Sequence, residues 1–367
     1  MISIAFTGGG TGGHIYPGIA TARAVRELVP CRIFWIGASR GMDRALVEGA
    51  GLPFFGIPAG KLRRYISLRN VTDVFRVLAG IAAAFFILKR EKPALLFSKG
   101  GFVSAPPVIA AALLKIPVFT HESDYSPGLA TRINLRFARR IFTAFPQTAS
   151  FFPPPVRARV TLAGNPIRRE FFTADAARGR AFIGVDAETP VLLVLGGSLG
   201  AKQLNDLVRE SLPALSACFF VAHQTGAGND REIPDSSRYR AWPFIGDEMP
   251  DVLAASTLVL CRSGAGTVWE CAALGKPAIL APLRGSGTRG DQVENARALE
   301  KAGAAVVLSG DVDAGALSAA VKALAADGER LAAMGKAAAA FAGSDAARLI
   351  AEAIVDEARG GDAGREA

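Results

Sequence analysis

Thr7-Gly-Gly-Gly-Thr-Gly-Gly-His-Ile-Tyr-Pro-Gly18 is the stretch on which the fold turns. The apolar run Ile2 to Phe6 before it reads as a buried strand. The run after it places Ile19, Ala22, Val25, Leu28 and Val29 on one helical face, with Pro17 suited to the first turn. A strand, a glycine turn and a helix N-terminus in that order form an anion site, because backbone N–H groups and the helix dipole point at the same place. Gly8-x-Gly10-x-x-Gly13 also fits a dinucleotide fingerprint, which expects an acidic residue after the next strand to hold a ribose. The next strand, Arg32 to Ile36, is followed by Gly37, Ala38, Ser39 and Arg40. That acid is missing.

At 367 residues, half of them apolar, the chain has material for two cores and is not of disordered composition. The N-terminus enters a strand at once, with no export signal to be read in it. Cys31, Cys218, Cys261 and Cys271 form no CxxC pair and lie in apolar runs, as buried thiols do. Charge is uneven. Residues 1–163 carry 21 Lys and Arg against 7 Asp and Glu; residues 164–367 carry 21 against 26. A first half this basic expects an anionic partner, either a phosphorylated substrate or an anionic membrane surface. Nucleic acid is disfavoured, since no helix-turn-helix, zinc or aromatic-platform pattern occurs.

The first half alternates strands and helices. Leu52 to Ile57 is a candidate strand. Residues 61–92 mix Lys61, Arg63, Arg64, Arg69, Arg76, Lys89, Arg90 and Lys92 with the apolar run Val77 to Leu88, which is shorter than the about 20 residues a membrane span needs. That segment fits a core helix, or a surface helix whose apolar side chains enter lipid while its cations meet phosphates; different faces can do both. Ala94 to Phe97 is a strand ending in a second glycine turn, Ser98-Lys99-Gly100-Gly101-Phe102, and Pro106 and Pro107 open a helix. Pro117 to Thr120 is a strand running into His121-Glu122-Ser123-Asp124, where open α/β sheets bind ligands. Arg139 to Ala144 is a further strand, Pro153 to Pro155 a break, and Gly164-Asn165-Pro166 a linker.

The second half restarts the pattern. Val191 to Leu195 is a strand, Gly196-Gly197-Ser198-Leu199-Gly200 a glycine turn, and Leu204, Leu207, Val208, Leu212 and Leu215 mark one helical face. Phe219 to Ala222 and Ala241 to Ile245 are strands. Thr257 to Cys261 is another, running into Arg262-Ser263-Gly264-Ala265-Gly266-Thr267 and a helix that Gly275 and Pro277 end. Asp311-Val-Asp313 resembles a metal-binding DxD but precedes an alanine-rich helix, which makes it a cap. No cluster with metal-ligand spacing occurs, so no metal or cofactor is expected. The last helix is expected over Ala342 to Ala358. The repeated opening predicts an α/β chain of two Rossmann-like, doubly wound domains facing across a cleft. Their expected limits are 1–163 and 164–341, with 342–367 a helix packing back on the first domain and a mobile tail.

Residues 257–270 carry the chemistry. Ser263 to Thr267 offer amides and hydroxyls at a helix N-terminus, enough to hold a diphosphate. Glu270 lies one turn on, where a carboxylate can accept both hydroxyls of a ribose. A nucleoside diphosphate held without metal is the sharper reading; a helix cap and a solvated Glu is the plainer one.

Taken in order, Gly8 to His14, His121-Glu122, Gly164 to Arg168, Gly196 to Ala201, His223 to Gly226, Phe244 to Met249, Arg262 to Glu270 and Asp291 to Asn295 resemble the MurG family of GT-B peptidoglycan glycosyltransferases over about residues 2–350. Single motifs are shared across GT-B enzymes; the ordered set is specific. The resemblance implies inverting transfer of N-acetylglucosamine (GlcNAc) from UDP-GlcNAc to the C4 hydroxyl of the muramyl sugar of lipid I. The product would be lipid II, made at the cytoplasmic membrane face for cell-wall synthesis, shape and division. It implies that Ile245 meets uracil through its backbone beside Phe244, and that Glu270 takes the ribose. Ser198 and Ala265, Gly266 and Thr267 would meet the diphosphate at a turn that runs on through Val268 and Trp269. Arg168 would add charge, Gln292 with Asp291 would hold the sugar, and Thr11, Gly12 and Gly13 would line the acceptor side.

Such a reaction needs a base for the attacking hydroxyl and fixed dipoles for the leaving diphosphate. His14, projecting from the glycine turn, is the leading candidate. His121 and Glu122 come second. Many relatives read His-Glu-Gln-Asn where this chain has His121-Glu122-Ser123-Asp124; the change puts an amide contact to the sugar in doubt and makes Asp124 a second candidate base. Three alternatives stand beside this: a GT-B transferase with another lipid or small-molecule acceptor, an NADP-dependent oxidoreductase using Arg40, and a non-catalytic membrane scaffold.

Overall fold

The computed structural model describes residues 1–60, 68–197, 200–227, 236–283, 290–309 and 312–363, and divides the chain into two compact units. The first is Met1–Arg168 together with the segment from Ser344 on; the second is Arg169–Gly343. The divisions therefore fall five residues and two residues later than the sequence boundaries at 163 and 341.

The first unit is a parallel sheet of seven strands: β1 (Ile2–Thr7), β2 (Cys31–Ala38), β3 (Phe54–Ile57), β4 (Leu95–Ser98), β5 (Val118–Glu122), β6 (Arg140–Thr143) and β7 (Val160–Leu162). Their order is β3-β2-β1-β4-β5-β6-β7. Ile4 stands opposite Ile33 on one side and Leu95 on the other. Both faces are covered, which is why these strands read as continuous apolar runs rather than alternating ones. Ile4, Phe6, Trp35 and Phe97 pack into one core with Ile15, Ile19 and Val25 of the helix Gly12–Leu28 and with Ile350 and Ile354 of the last helix. Ala5, Phe34, Ile36 and Leu96 face the other way, onto Ala84 and Leu88 of the helix Leu68–Glu91 and onto Val108.

The second unit repeats the plan with β8 (Val191–Leu195), β9 (Phe220–Gln224), β10 (Tyr239–Trp242), β11 (Leu258–Cys261), β12 (Ala278–Leu280) and β13 (Ala305–Val307), all parallel, in the order β10-β9-β8-β11-β12-β13. Leu192, Val194, Leu258 and Leu260 pack against Leu204, Leu207, Val208 and Leu215 of the helix Lys202–Cys218. In each unit the chain winds outward from its first strand in both directions. β1 and β8 thus stand at the points where strand order reverses, and ligands of such sheets sit outside the carboxyl ends there.

Several expectations shift. The first helix starts at Gly12, so the glycines form its first turn and Pro17, expected in that turn, lies further inside the helix. The carbonyl that Pro17 leaves without an amide belongs to exposed Gly13, where the loss is cheap. β5 runs to Glu122 and β9 to Gln224, which puts His121 and His223 in strands; β10 ends at Trp242, which leaves Ile245 in a loop. The last helix, Ala346–Ala363, starts four residues later than expected, and a separate helix, Gly328–Ala342, precedes it. Gly343, at φ 65, breaks them, and Asp345 Oδ1 accepts from Arg348 N at 3.1 Å. The edge strands β7 and β13 are three residues each and carried no sequence signal of their own. Asp313 caps the helix Ala314–Ala325, its Oδ1 accepting from Ala316 N at 2.7 Å; Asp311 lies outside the described residues.

The helix Leu68–Glu91 buries Asp73, Gly80, Ala84 and Leu88 along one stripe. Its other face exposes Val74, Phe75, Leu78 and Phe86, the two phenylalanines by 67% and 69%. Among the described residues no helix is long and apolar enough to cross a membrane.

Candidate active site

At the carboxyl ends of β1 and β4 two glycine turns meet. A Cβ on Gly101, whose φ is +78, would come within 2.4 Å of the Gly9 carbonyl and 3.0 Å of His14 Cδ2, so only glycine lets the loops close. His14, half-buried in the first turn of its helix, sits at this junction. Thr11 and Gly13 are exposed beside it. Buried Asp43 stands behind the turn, its Oδ1 accepting from Gly10 N at 2.9 Å and its Oδ2 from Ala38 N at 3.0 Å. Gly9 is needed for this, since a Cβ there would fall 2.0 Å from Asp43 Oδ2. Trp35 Nε1 donates to the Gly8 carbonyl at 2.9 Å. The opening turn is therefore already committed to an internal carboxylate, which disfavours a bound diphosphate at Gly10 and with it the dinucleotide reading.

The end of β5 lies next to this junction. Glu122 is buried, and its two carboxylate oxygens accept from Asp124 N at 3.1 Å and Gly128 N at 3.0 Å, so it shapes the loop. His121 is fully buried with Nε2 2.8 Å from the Gly164 carbonyl. Burial, then the Lys99 ammonium, hold its pKa well below the ordinary histidine value. Both side chains are buried, whereas Asp124 and His14 are only half-buried. Arg168, at the end of this unit, stacks its guanidinium 5.2 Å from the Tyr16 ring centroid.

In the second unit the turns after β8 and β11 are neighbours, joined by Arg262 Nη2 donating to Gln203 Oε1 at 3.2 Å. Gly264 is the N-cap of the helix Ala265–Ala273, and Val268 N donates back to the Gly264 carbonyl at 3.1 Å. The amides of Ala265, Gly266 and Thr267 precede the first intrahelical bond and face out of the helix end. Among the described residues no carboxylate is seen to accept from them as Asp43 accepts from Gly10. Glu270 lies one turn down the same helix, half-buried. Val268 and Trp269, expected at the same turn, point into the core: Val268 is fully buried and Trp269 packs 5.1 Å from Phe341. The helix has consumed the Val268 amide, so neither residue adds a donor. Ser198 lies outside the described residues.

Gln292 is fixed twice over: its carbonyl accepts from Ser263 Oγ at 2.7 Å and its Oε1 from Leu283 N at 2.8 Å. Ile245 is buried and its N–H donates to Gln224 Oε1 at 2.9 Å; Gln224 Nε2 donates to the Gly197 carbonyl at 3.3 Å. Gln224 thus ties the glycine turn after β8 to the loop holding Ile245, while Phe244 beside it is exposed. Behind Gln224, His223 bridges Tyr239 Oη at 3.1 Å and Asn205 Oδ1 at 3.2 Å, with burial pushing its pKa down to about 4.

Sequence reasoning missed Asp43, Lys99 and Gln224 as site-shaping residues. Gln224 was inside a quoted motif; Asp43 lay just past the point where an acid was sought, facing the loop instead of a ribose.

The glycosyltransferase family 28 N-terminal domain matches residues 4–143, and that family's C-terminal domain matches residues 191–350. A UDP-N-acetylglucosamine–N-acetylmuramyl-(pentapeptide) pyrophosphoryl-undecaprenol N-acetylglucosamine transferase of Treponema pallidum (strain Nichols) is 53% identical over 314 residues, 83% of this chain and 82% of its own. A Bacillus cereus (strain ATCC 10987) protein of that name, numbered 2, is 40% identical over 309 residues, 84% of this chain and 87% of its own. The crystal structure of Acinetobacter baumannii MurG superposes with a TM-score of 0.74 at 25% identity, covering 97% of this chain and all of that one. A Neisseria meningitidis UDP-GlcNAc 2-epimerase shares the fold, with a TM-score of 0.68 at 14% identity over 97% of this chain and 100% of its own. With both domains matched and relatives this similar over most of their length, the chain belongs to glycosyltransferase family 28, with a GT-B fold of two parallel-sheet α/β units.

Proposed function

We infer that this protein transfers GlcNAc from UDP-GlcNAc to lipid I, forming lipid II for peptidoglycan synthesis. The observation that carries the inference is the end of β11: three outward amides, Ala265 to Thr267, with Glu270 one turn below on the same helix. Amides at a helix N-terminus hold a diphosphate, and a carboxylate at that spacing accepts a ribose diol. The relatives at 53% and 40% identity carry names for the same transfer.

In this reading the second unit holds the donor. Uracil lies against the loop of Phe244 and Ile245, the ribose on Glu270 and the diphosphate on the amides of Ala265 to Thr267. Ser198 and Arg168 add to the diphosphate site, and Gln292, already fixed in orientation, presents its amide group to the sugar. As the acceptor C4 hydroxyl attacks the anomeric carbon, negative charge moves onto the departing UDP, where dipoles set in advance stabilise it without reorganising. The acceptor hydroxyl gives up its proton as the new bond forms. His14, in the first unit, takes it, with Asp124 the second candidate. The carboxylate behind Gly10 makes the loop of Thr11 to Gly13 suited to sugar hydroxyls more than to phosphate.

The enzyme works at the membrane surface as a peripheral protein on the cytoplasmic face. The exposed Val74, Phe75, Leu78 and Phe86, flanked by Arg76, Lys89 and Arg90 on one helix, support this. Lys61, Arg63 and Arg64 lie outside the described residues.

Incorporation of radiolabelled GlcNAc from UDP-GlcNAc into a lipid I analogue tests the reaction. Transfer is expected, and its absence with folded protein defeats the inference; transfer to diacylglycerol instead would redirect it to another acceptor. Flotation with anionic vesicles, weakened by salt, is expected for the membrane part, and equal binding to zwitterionic vesicles would remove its electrostatic component.

A further inference from the structure

Lys99 is the anomaly of the first unit. Only 1% of it is exposed, at the end of the central strand β4, beneath the two glycine turns. Lysine is almost never buried this completely unless it is paired, because the ammonium loses its hydration. Here Nζ donates to Ser123 Oγ, and Ser123 Oγ donates in turn to Asn165 Oδ1 at 2.9 Å. The charge is set among groups at the end of β5: it interacts with Glu122 and Asp124 and with the buried ring of His121. A Cβ on Gly8 would fall 3.1 Å from Lys99 Cβ, so the opening glycine turn packs directly on the lysine stem.

We propose that Lys99 is a positioning residue for the transfer: its buried ammonium, anchored on Ser123 between the two glycine turns and the loop after β5, fixes that loop and sets a positive charge beside Asp124 and the His121 ring. Two consequences follow from charge alone. A cation there lowers the pH at which a carboxylate or an imidazole becomes available to accept a proton. The polar string Lys99–Ser123–Asn165 also fixes the loop that carries Asp124 to the segment that ends in Arg168. Ser123 is what makes this possible, since its hydroxyl accepts from the ammonium with one lone pair while donating its own proton onward. Burial lowers the Lys99 pKa to about 8, against smaller opposing effects from Glu122 and Asp124. The cation is therefore lost as pH rises through that value, well before an ordinary lysine would titrate.

The inference rests on the first unit supplying the proton acceptor, and its test is the pH dependence of kcat/KM for GlcNAc transfer to a lipid I analogue in wild type, Lys99→Met and Lys99→Arg. Wild type is expected to lose activity above about pH 8, where the ammonium becomes an amine and the charge-assisted hydrogen bond that holds the Asp124 loop through Ser123 is lost. Lys99→Met is expected to lack that basic limb and to move the acidic limb up by about one pH unit, with an unchanged KM for UDP-GlcNAc. Lys99→Arg keeps the charge at every pH, so its acidic limb stays and its basic limb disappears. Wild-type limbs in a folded Lys99→Met enzyme would overturn the proposal. Should the Met variant fail to fold, Lys99→Arg decides: a basic limb still near pH 8 overturns it, and loss of that limb supports it. Failure of wild type to use the lipid I analogue at all would instead break the proposed reaction.

Discussion

Behind Gly10, after β1 of the first sheet, stands the Asp43 carboxylate; after β11, which holds in the second sheet the place of β4 in the first, no carboxylate among the described residues is seen to accept from Ala265 to Thr267, and Arg262 precedes them. The strand orders are otherwise one pattern used twice, with β7 added to the first. Both turns are rich in glycine and both open a helix, so a motif search treats them alike. Their difference lies in what occupies the back of the loop. An internal carboxylate uses the amide that a phosphate would need and repels its charge, while a bare helix end attracts it. In the proposed reading, one fold thus yields a donor-holding half and a half suited to a sugar hydroxyl and its base.

Paired substitutions break this comparison most strongly. His14→Ala is expected to lower kcat by about 10²- to 10⁴-fold, the usual contribution of a positioned base, with KM for UDP-GlcNAc little changed. Glu270→Ala is expected to act on the donor instead, lowering kcat/KM for UDP-GlcNAc about 10²-fold through lost bonds to a charged acceptor. If the two variants showed the same kinetic signature, the division of labour would be wrong.

A finer cut removes single amides. Gly264 is extended (φ −66, ψ 138) before Ala265, as is Thr11 (φ −153, ψ 157) before Gly12, so proline suits the first helical position of both turns. Ala265→Pro is expected to raise the Kd for UDP-GlcNAc about tenfold, one charge-assisted hydrogen bond, whereas Gly12→Pro leaves it within about twofold. Titrating UDP-GlcNAc by isothermal calorimetry checks both.

The smallest expected effect is on stability. His223 is buried neutral, its pKa lowered to about 4, so the unfolded chain binds its proton first as pH falls. Stability is full above the unfolded value of about 6.5 and declines below it; between pH 7.5 and 5 the cost is about 2 kcal/mol. Urea unfolding at the two pH values measures this, and His223→Gln should remove most of the difference.

Much of the fold was legible because both sheets are covered on both faces. Val191 to Leu195 announces a strand by being unbroken, and Gly275 with Pro277 announces a helix end by conformation alone. The helix end at Ala265 and its Glu270 were legible for a similar reason, since amides and a carboxylate one turn apart are set by helix geometry. The rest depended on tertiary contacts. Trp269 shares a motif with donor residues, but it packs against Phe341, far along the chain. Asp43 and Lys99 read as ordinary surface charges until the loops close over them. β7 and β13 exist because a neighbouring strand offers an edge, and three residues carry no period to detect.

Hydrogen exchange of the full chain with and without UDP-GlcNAc bears most directly on the central claim, that the nucleotide is cradled at the helix end after β11 and not at the opening glycine turn. Slower exchange is expected for the backbone of 262–267 and of the loop containing Ile245, with residues 8–13 unchanged. Protection centred on 8–13, with 262–267 unaffected, would contradict it.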